Sequence, residues 1–180
     1  MQWIVTEIDG KIASISQDYR HFAKIAAEVA SLPVEEIASI ATSKISMDEL
    51  LELSRTLHWE DLHLFGSKFQ QGVWRKLYDL THTEGLPPRL YSYSELAAAC
   101  DNPAGVRAVA HAVAINPVAW VIPCHLIVPK ESLDRVREIR RSAAATLFQG
   151  QDLYLLDTID VGEFAYGPAL KRELIKLQLR

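Results

Sequence analysis

Hydrophobic and polar residues alternate in two short runs at the start of the chain. WIVTEI (residues 3–8) and KIASIS (residues 11–16) are rich in residues that favour β-strands, and Asp9-Gly10 joins them. This pair suits the positive φ angles of a type I′ turn. The pattern therefore predicts a β-hairpin.

Helical periodicity replaces this alternation further along. Between about 19 and 31, one face of a predicted helix collects Phe22, Ile25, Ala26 and Val29. Ser46 and Glu49 form an S-x-x-E capping box that opens a second helix, from Met47 to about Leu57. Together with the hairpin, these helices indicate a small α/β unit.

The turn Phe65-Gly66-Ser67 is the predicted domain boundary, between an N-terminal domain at 1–65 and a second domain at 66–180. A capping box at Ser67 and Gln70 opens a helix whose apolar stripe is Phe69, Val73, Leu77 and Leu80. A loop containing Gly and Pro, residues 81–89, then ends this helix.

Two further helices are predicted around a tight turn. Ser92 and Glu95 cap a short helix that runs to Cys100, and Asp101-Asn102-Pro103 forms the turn. We expect Asn102 to be the N-cap, and Pro103 the first residue, of a helix to about Ile115. The pattern suits a DNA-binding helix-turn-helix, but also two helices that merely pack together, which is the commoner case.

The second of these helices is rich in small residues: Ala104, Gly105, Ala108, Ala110 and Ala112. They permit either close approach to a nucleic-acid groove or tight helix packing. Arg107 projects near the start of the helix, where the alternatives are a DNA contact and an ordinary surface charge.

Composition narrows the class of protein. The chain is 49% hydrophobic, enough for a buried core, but has no apolar run of about 18 residues and no signal-peptide pattern at its start. We therefore expect a soluble cytoplasmic protein without a membrane partner. Cys100 and Cys124 are the two cysteines, too few for a disulfide framework.

Charge is distributed unevenly along the chain. The net charge is -4, but residues 1–65 carry 5 Lys/Arg against 11 Asp/Glu, which leaves 14 against 12 in residues 66–180. A DNA-facing surface is therefore expected in the second domain.

Five sequence blocks then occur in a recognisable order: FQQGVW (69–74), SYSELA (92–97), NPAGVRAVA (102–110), INP (115–117) and IPCH (122–125). Together they closely resemble the active-site domain of the O6-alkylguanine-DNA alkyltransferases. The resemblance covers 66–128 and returns weakly at 162–178.

This resemblance implies an α/β fold, with a small N-terminal ribonuclease-H-like domain followed by a mainly helical winged helix-turn-helix domain. The implied function is direct DNA repair. An alkyl group passes irreversibly from O6-alkylguanine in double-stranded DNA to Cys124, once per molecule. The family implies a monomer that needs no metal and no organic cofactor.

The resemblance also assigns roles to individual residues. Cys124 is the nucleophile, His125 acts on it through a water molecule, and Asn116 holds the turn. Because adjacent side chains on a strand point to opposite faces, Cys124 and His125 can cooperate only on a turn, which Pro123 favours. Tyr93 rotates the phosphate and assists the leaving guanine, and Arg107 fills the vacated stack. The implied DNA-contacting set is Arg107, Tyr93, Ser92, Ala104, Gly105 and Ala108.

The chain departs from the family in three places. Leu126 follows the IPCH block where an arginine is usual, and Gln178 stands where a glutamate normally orients the histidine, with Glu173 as a candidate substitute. An insertion at about 129–161 begins with an amphipathic helix that carries Arg135, Arg137, Arg140 and Arg141. Its basic face is either solvated, which is the default, or in contact with phosphate.

Three other functions compete with this interpretation. A non-catalytic alkyltransferase-like protein would bind the lesion without repairing it, although such relatives usually replace the cysteine that this chain keeps. A helix-turn-helix regulator needs no nucleophile. A cysteine hydrolase needs a third catalytic group and an oxyanion hole, which the sequence does not provide.

Overall fold

The computed structural model describes residues 2–17, 40–144 and 152–179. A β-hairpin of β1 (Gln2–Ile8) and β2 (Lys11–Ser16) opens the chain, with Asp9 and Gly10 at φ 50° and 74°. These angles confirm the predicted turn. The helix predicted at about 19–31 lies outside the described residues.

The hairpin is part of a three-stranded antiparallel sheet. β3 (Ile40–Ser46) pairs with β1, so that the strand order is β2-β1-β3. α1 (Met47–Thr56) follows at once, and both hydrogen bonds of its predicted capping box are present. The described part of the N-terminal half is therefore mixed α/β.

The next part of the chain is helical, as predicted. α2 (Lys68–Thr81) starts at the Ser67–Gln70 capping box, and α3 (Tyr93–Ala99) starts at the Ser92–Glu95 box. α4 (Val106–Ala114) lies against α2, where the Trp74 indole donates a 2.7 Å hydrogen bond to the Ala112 carbonyl.

The start of α4 differs from the prediction. Pro103–Gly105 form a 3-10 turn and the α-helix begins only at Val106, while the Asn102 side chain makes no capping hydrogen bond. Gly105 adopts φ -92° and ψ 26°, outside the α-helical region, at the junction. Glycine is unfavourable in a helix interior, which is consistent with a regular helix that begins after it.

Two short parallel strands and three helices complete the described fold. β4 (Tyr91–Ser92) pairs with β5 (Ile127–Val128), which follows the IPCH segment in the chain. α5 (Lys130–Ala144) is the predicted amphipathic helix and buries Leu133 and Val136. α6 (Asp152–Thr158) and α7 (Pro168–Gln178) lie beside it in a second apolar cluster.

The main hydrophobic cluster joins both halves of the chain. Trp3, Val5 and Ile15 of the sheet share it with buried residues of α2, α3 and α4. The Ile15 backbone also donates to Pro117 and accepts from Ala119, at 2.9 and 3.0 Å. Within the described ranges, none of the helices has the length and apolar character that a membrane span requires.

Candidate active site

The IPCH segment forms a turn. Cys124–Leu126 make one 3-10 turn immediately after Pro123, as the cooperation of Cys124 and His125 requires. Cys124 is 7% exposed and His125 is fully buried. The two side chains of the predicted nucleophile motif therefore lie on a single turn inside the protein.

Asn116 braces the loop that leads to this turn. Its amide nitrogen donates to the Ile122 carbonyl at 2.7 Å, and its amide oxygen accepts from the Val118 N–H at 3.1 Å. Both bonds are buried, so the side chain fixes the path of the backbone between residues 116 and 122.

Burial keeps the Cys124 thiol neutral. Loss of solvation raises the pKa of Cys124, because the thiolate is poorly stabilised in an apolar interior. A hydrogen bond from Asn116 and the positive charge of Lys171 act in the opposite direction and lower the pKa. The site thus holds a protonated thiol beside groups that stabilise its anion.

His125 is buried and hydrogen-bonded to the side-chain amide of Gln178. Its Nε2 atom is hydrogen-bonded to Oε1 of Gln178, whereas Nδ1 has no partner within the described residues. Burial lowers the pKa of His125 to about 3, Gln178 opposes this change, and Lys171 adds to it. The imidazole is therefore neutral at physiological pH.

A cavity of about 320 Å³ opens onto the cysteine. Tyr93, Asn116 and Cys124 line it. The remaining wall comes from α4, from the loop after Asn116 and from the loop that precedes α7: Ala110, Val113, Ala114, Ala119, Glu163, Phe164, Ala165 and Tyr166. Burial, followed by the proximity of Cys124, raises the pKa of the Tyr93 phenol. The phenol therefore stays protonated and able to donate a hydrogen bond.

Lys171 is a site residue that the sequence prediction missed. It is 1% exposed, donates to the Glu163 carbonyl at 3.3 Å, and places Nζ 5.8 Å from the centre of the Tyr93 ring. Burial lowers its pKa to about 8, so the ammonium persists at neutral pH. The available signal was its position, because Lys171, Leu174, Ile175 and Gln178 form one stripe of α7.

The predicted DNA-contacting residues divide into two groups. Arg107, Ala104 and Ala108 are exposed near the start of α4, outside the cavity lining. Arg107 nonetheless shares a helix face with Ala110, a cavity residue three positions later. Ser92 is instead buried, and its hydroxyl accepts the capping hydrogen bond from the Glu95 N–H.

Gly105 has a structural reason to be small. A Cβ atom at this position would lie 2.1 Å from Nδ2 of Asn102, so the side chain of Asn102 occupies the space beside the glycine. Contact with the Asn102 side chain therefore disfavours a larger residue at this partly buried position, whereas Ala104 and Ala108 are exposed.

Cys100 is separate from the cavity. It is the half-buried C-cap of α3, and burial raises its pKa. Glu173 is exposed on α7, whereas Gln178 of the same helix makes the bond to His125. In the inserted region, Arg137 forms a 2.7 Å ion pair with Glu95 of α3.

Comparison with known proteins finds similar sequences for the helical part of the chain. Residues 68–138 match the family described as the DNA-binding domain of 6-O-methylguanine DNA methyltransferase, a match that continues into the predicted insertion. The chain is 40% identical over 72 residues to a probable methylated-DNA--protein-cysteine methyltransferase of Acanthamoeba polyphaga mimivirus. It is 42% identical over 66 residues to the methylated-DNA--protein-cysteine methyltransferase of Haemophilus influenzae.

These matches cover 40% and 37% of the chain, and 45% and 34% of the two relatives. A solved structure, O6-methylguanine-DNA methyltransferase from the archaeon Pyrococcus kodakaraensis strain KOD1, aligns with 98% of the chain and 91% of its own length. Its TM-score is 0.50 at 18% identity, which shows a shared fold.

Proposed function

Because residues 68–138 match the DNA-binding domain of 6-O-methylguanine DNA methyltransferase, we propose that the chain repairs O6-alkylguanine in double-stranded DNA by irreversible alkyl transfer to Cys124. The observation that carries the proposal is the cavity that brings Cys124, Asn116 and Tyr93 together, with the bonded pair His125 and Gln178 behind it.

The transfer is a single displacement at the alkyl carbon. Nδ1 of His125 receives the thiol proton through a water molecule, and the Cys124 sulfur attacks the carbon. The carbon–O6 bond breaks and its electron pair stays with the guanine. The guanine then takes up a proton, which balances the one that the thiol gave to His125. The products are a thioether on Cys124 and unmodified guanine, so each molecule reacts once.

Three groups of this chain assist the displacement. The Asn116 amide and the Lys171 ammonium stabilise negative charge on Cys124, since each lowers the pKa of the thiol. The Tyr93 phenol is protonated and lines the same cavity, where it donates a hydrogen bond to the leaving base. Electrostatic stabilisation of this kind acts strongly in a site that excludes water.

The target nucleotide must leave the duplex to reach this cavity, at a cost of a few kcal/mol. We assign α3, the turn and α4 to the helix-turn-helix of a winged domain, with Ala104 and Ala108 next to the groove. Arg107 then fills the vacated stack. The face that Arg107 shares with Ala110 supports this assignment, because it runs from the exposed start of α4 to the cavity.

For the chain as a whole we propose two domains: a ribonuclease-H-like domain at 1–65 and an active-site domain at 66–180. The second contains an insertion at about 129–161. The protein acts as a monomer where cellular DNA lies.

Intact-mass spectrometry tests the proposed reaction. After incubation with excess duplex containing one O6-methylguanine, each protein molecule should gain one methyl group in place of one hydrogen. Cys100→Ser should gain the same mass, and Cys124→Ser should gain none. Lesion binding without any gain in mass would instead favour the non-catalytic alkyltransferase-like function.

A further inference from the structure

Trp120 has an unusual backbone conformation in the loop that Asn116 braces. Its φ angle is 76°, in the left-handed region that bulky side chains rarely adopt, and the residue is 7% exposed. Such a conformation is energetically unfavourable and persists where surrounding contacts over-determine it. The contacts of the indole ring are therefore informative.

The indole ring of Trp120 stacks on the His125 imidazole. The ring centroids lie 5.2 Å apart and the planes are inclined by 13°. At its edge, Nε1 donates a 3.0 Å hydrogen bond to the Ser54 hydroxyl oxygen, and that hydroxyl in turn donates to the Leu51 carbonyl at 2.8 Å. The indole is thereby anchored to α1, which belongs to the other half of the chain.

Within the described residues, the groups whose charge or hydrogen bond shifts the pKa of His125 include no anion that would stabilise a positively charged ring. The partner at Nε2 is the neutral amide of Gln178, and the Lys171 ammonium disfavours a second positive charge on the ring. The other titratable groups at the site are Cys124, Tyr93, Glu163 and Asp160. An aromatic face within about 6 Å attracts a cation through its quadrupole.

We propose that Trp120 is a positioning residue, anchored by Ser54, whose π face orients His125 and stabilises the imidazolium that forms when His125 takes the Cys124 proton. The proposal deepens the proposed function, on which it rests for the role of the thiolate. It also gives the N-terminal half a part in the chemistry, because Ser54 lies on α1.

The test uses a reaction that needs no DNA. Iodoacetamide alkylates thiolates, so its second-order rate with Cys124 across pH reports how readily the thiol ionises. The measurement is made on the Cys100→Ser background in the full chain. It compares Trp120 with Trp120→Leu, which removes the π face, Trp120→Phe, which keeps one, and Ser54→Ala, which removes only the anchor.

Trp120→Leu should lower the rate at neutral pH by about threefold or more and move the midpoint of the profile to higher pH. Trp120→Phe should restore most of the rate, and Ser54→Ala should lower it by a smaller factor. Leu77→Ala is the control, because it creates a cavity in the same core at a residue outside the site. It should leave the pH profile of the iodoacetamide rate unchanged in the folded protein.

Three outcomes would overturn the proposal: a Trp120→Leu profile that superimposes on the parent, a Phe variant no faster than the Leu variant, or the same shift in Leu77→Ala. An unchanged profile in Ser54→Ala would overturn the anchoring part. Failure to take up an alkyl group from DNA would defeat the proposed function separately, since the iodoacetamide rates do not depend on it.

Discussion

The hydrogen bond between Gln178 and His125 links the end of α7 to the nucleophile turn. An amide oxygen accepts a hydrogen bond but carries no charge with which to stabilise an imidazolium. Burial meanwhile lowers the pKa of His125 to about 3 and raises that of Cys124. The proton transfer from thiol to imidazole is therefore unfavourable at neutral pH.

Gln178→Glu should consequently increase the single-turnover rate at neutral pH. A carboxylate at this position raises the pKa of His125, and each unit of increase raises the imidazolium–thiolate population about tenfold. The gain should shrink at high pH, where the Cys124 thiol ionises without help. Rapid-quench measurement of methyl transfer from duplex DNA between neutral and alkaline pH checks both parts.

Leu177→Glu is the matched control for this variant. It adds the same charge one residue earlier on α7, on a side chain that is 38% exposed, and should leave the profile unchanged. Equal rates for Gln178→Glu and the parent at every pH would mean that Gln178 does not belong to the relay.

The sequence predicted part of this residue-scale arrangement. Cys124, His125, Asn116 and Tyr93 lie in the blocks that carry the resemblance, and Gln178 aligns with the glutamate that is usual in the family. The structure brings these five side chains together. Trp120 and Lys171 were missed because their roles come from contacts across the fold: a lysine on an apolar stripe, and an indole that reaches α1. The stripe of α7 that contains Lys171 is visible in the sequence, but the groups that surround the ammonium are not, and no local pattern predicts the contact of Trp120 with α1.

Among the secondary-structure elements, capping boxes predicted the helix starts well. The boxes at Ser46, Ser67 and Ser92 each open a helix at the expected residue, because the cap satisfies backbone N–H groups that would otherwise lack partners. The prediction at Asn102 was right in part: Asn102 and Pro103 are the N-cap and the first residue of a 3-10 turn, but α4 begins only at Val106 and the Asn102 side chain makes no capping hydrogen bond.

α4 presents Arg107 to the solvent and Ala110 to the cavity, which permits a sharp test of the helix-turn-helix assignment. Arg107→Ala should reduce the transfer rate on duplex DNA far more than the rate on free O6-methylguanine, because only the duplex has a stack to fill. Single-turnover assays on both substrates provide the comparison.

Arg55→Ala serves as the control for that variant. Arg55 is an exposed arginine on α1 whose described partner is Glu52 of the same helix, so its loss should spare both rates. An equal loss on duplex and free base in Arg107→Ala would remove the proposed role from Arg107.

At the scale of the whole molecule, the two halves meet at the site. Trp3 of β1 makes an edge-to-face contact with Tyr166 of the cavity wall, at 6.0 Å between ring centres. Ser54 holds Trp120, and Ile15 pairs with the loop after Asn116. The turn at Phe65–Ser67 divides the sequence pattern, whereas the hydrophobic core continues across it.

This continuity could not be predicted from the sequence. Alternation and periodicity indicate which face of an element is buried, but not which other element covers it. The apolar faces of β1 and α2 are clear from the pattern, while their shared cluster depends on the tertiary arrangement. The same holds for the uneven charge, which predicted a second domain better suited to DNA without locating its surface.

The fate of the methyl group tests the account most directly. Duplex DNA with an isotopically labelled methyl at O6 of one guanine is incubated with the protein, and both products are analysed by mass spectrometry. We predict one labelled S-methylcysteine at Cys124 per molecule and a strand that retains intact, unmodified guanine. Label on Cys100, label released to solution, or an abasic site in the strand would contradict alkyl transfer to Cys124.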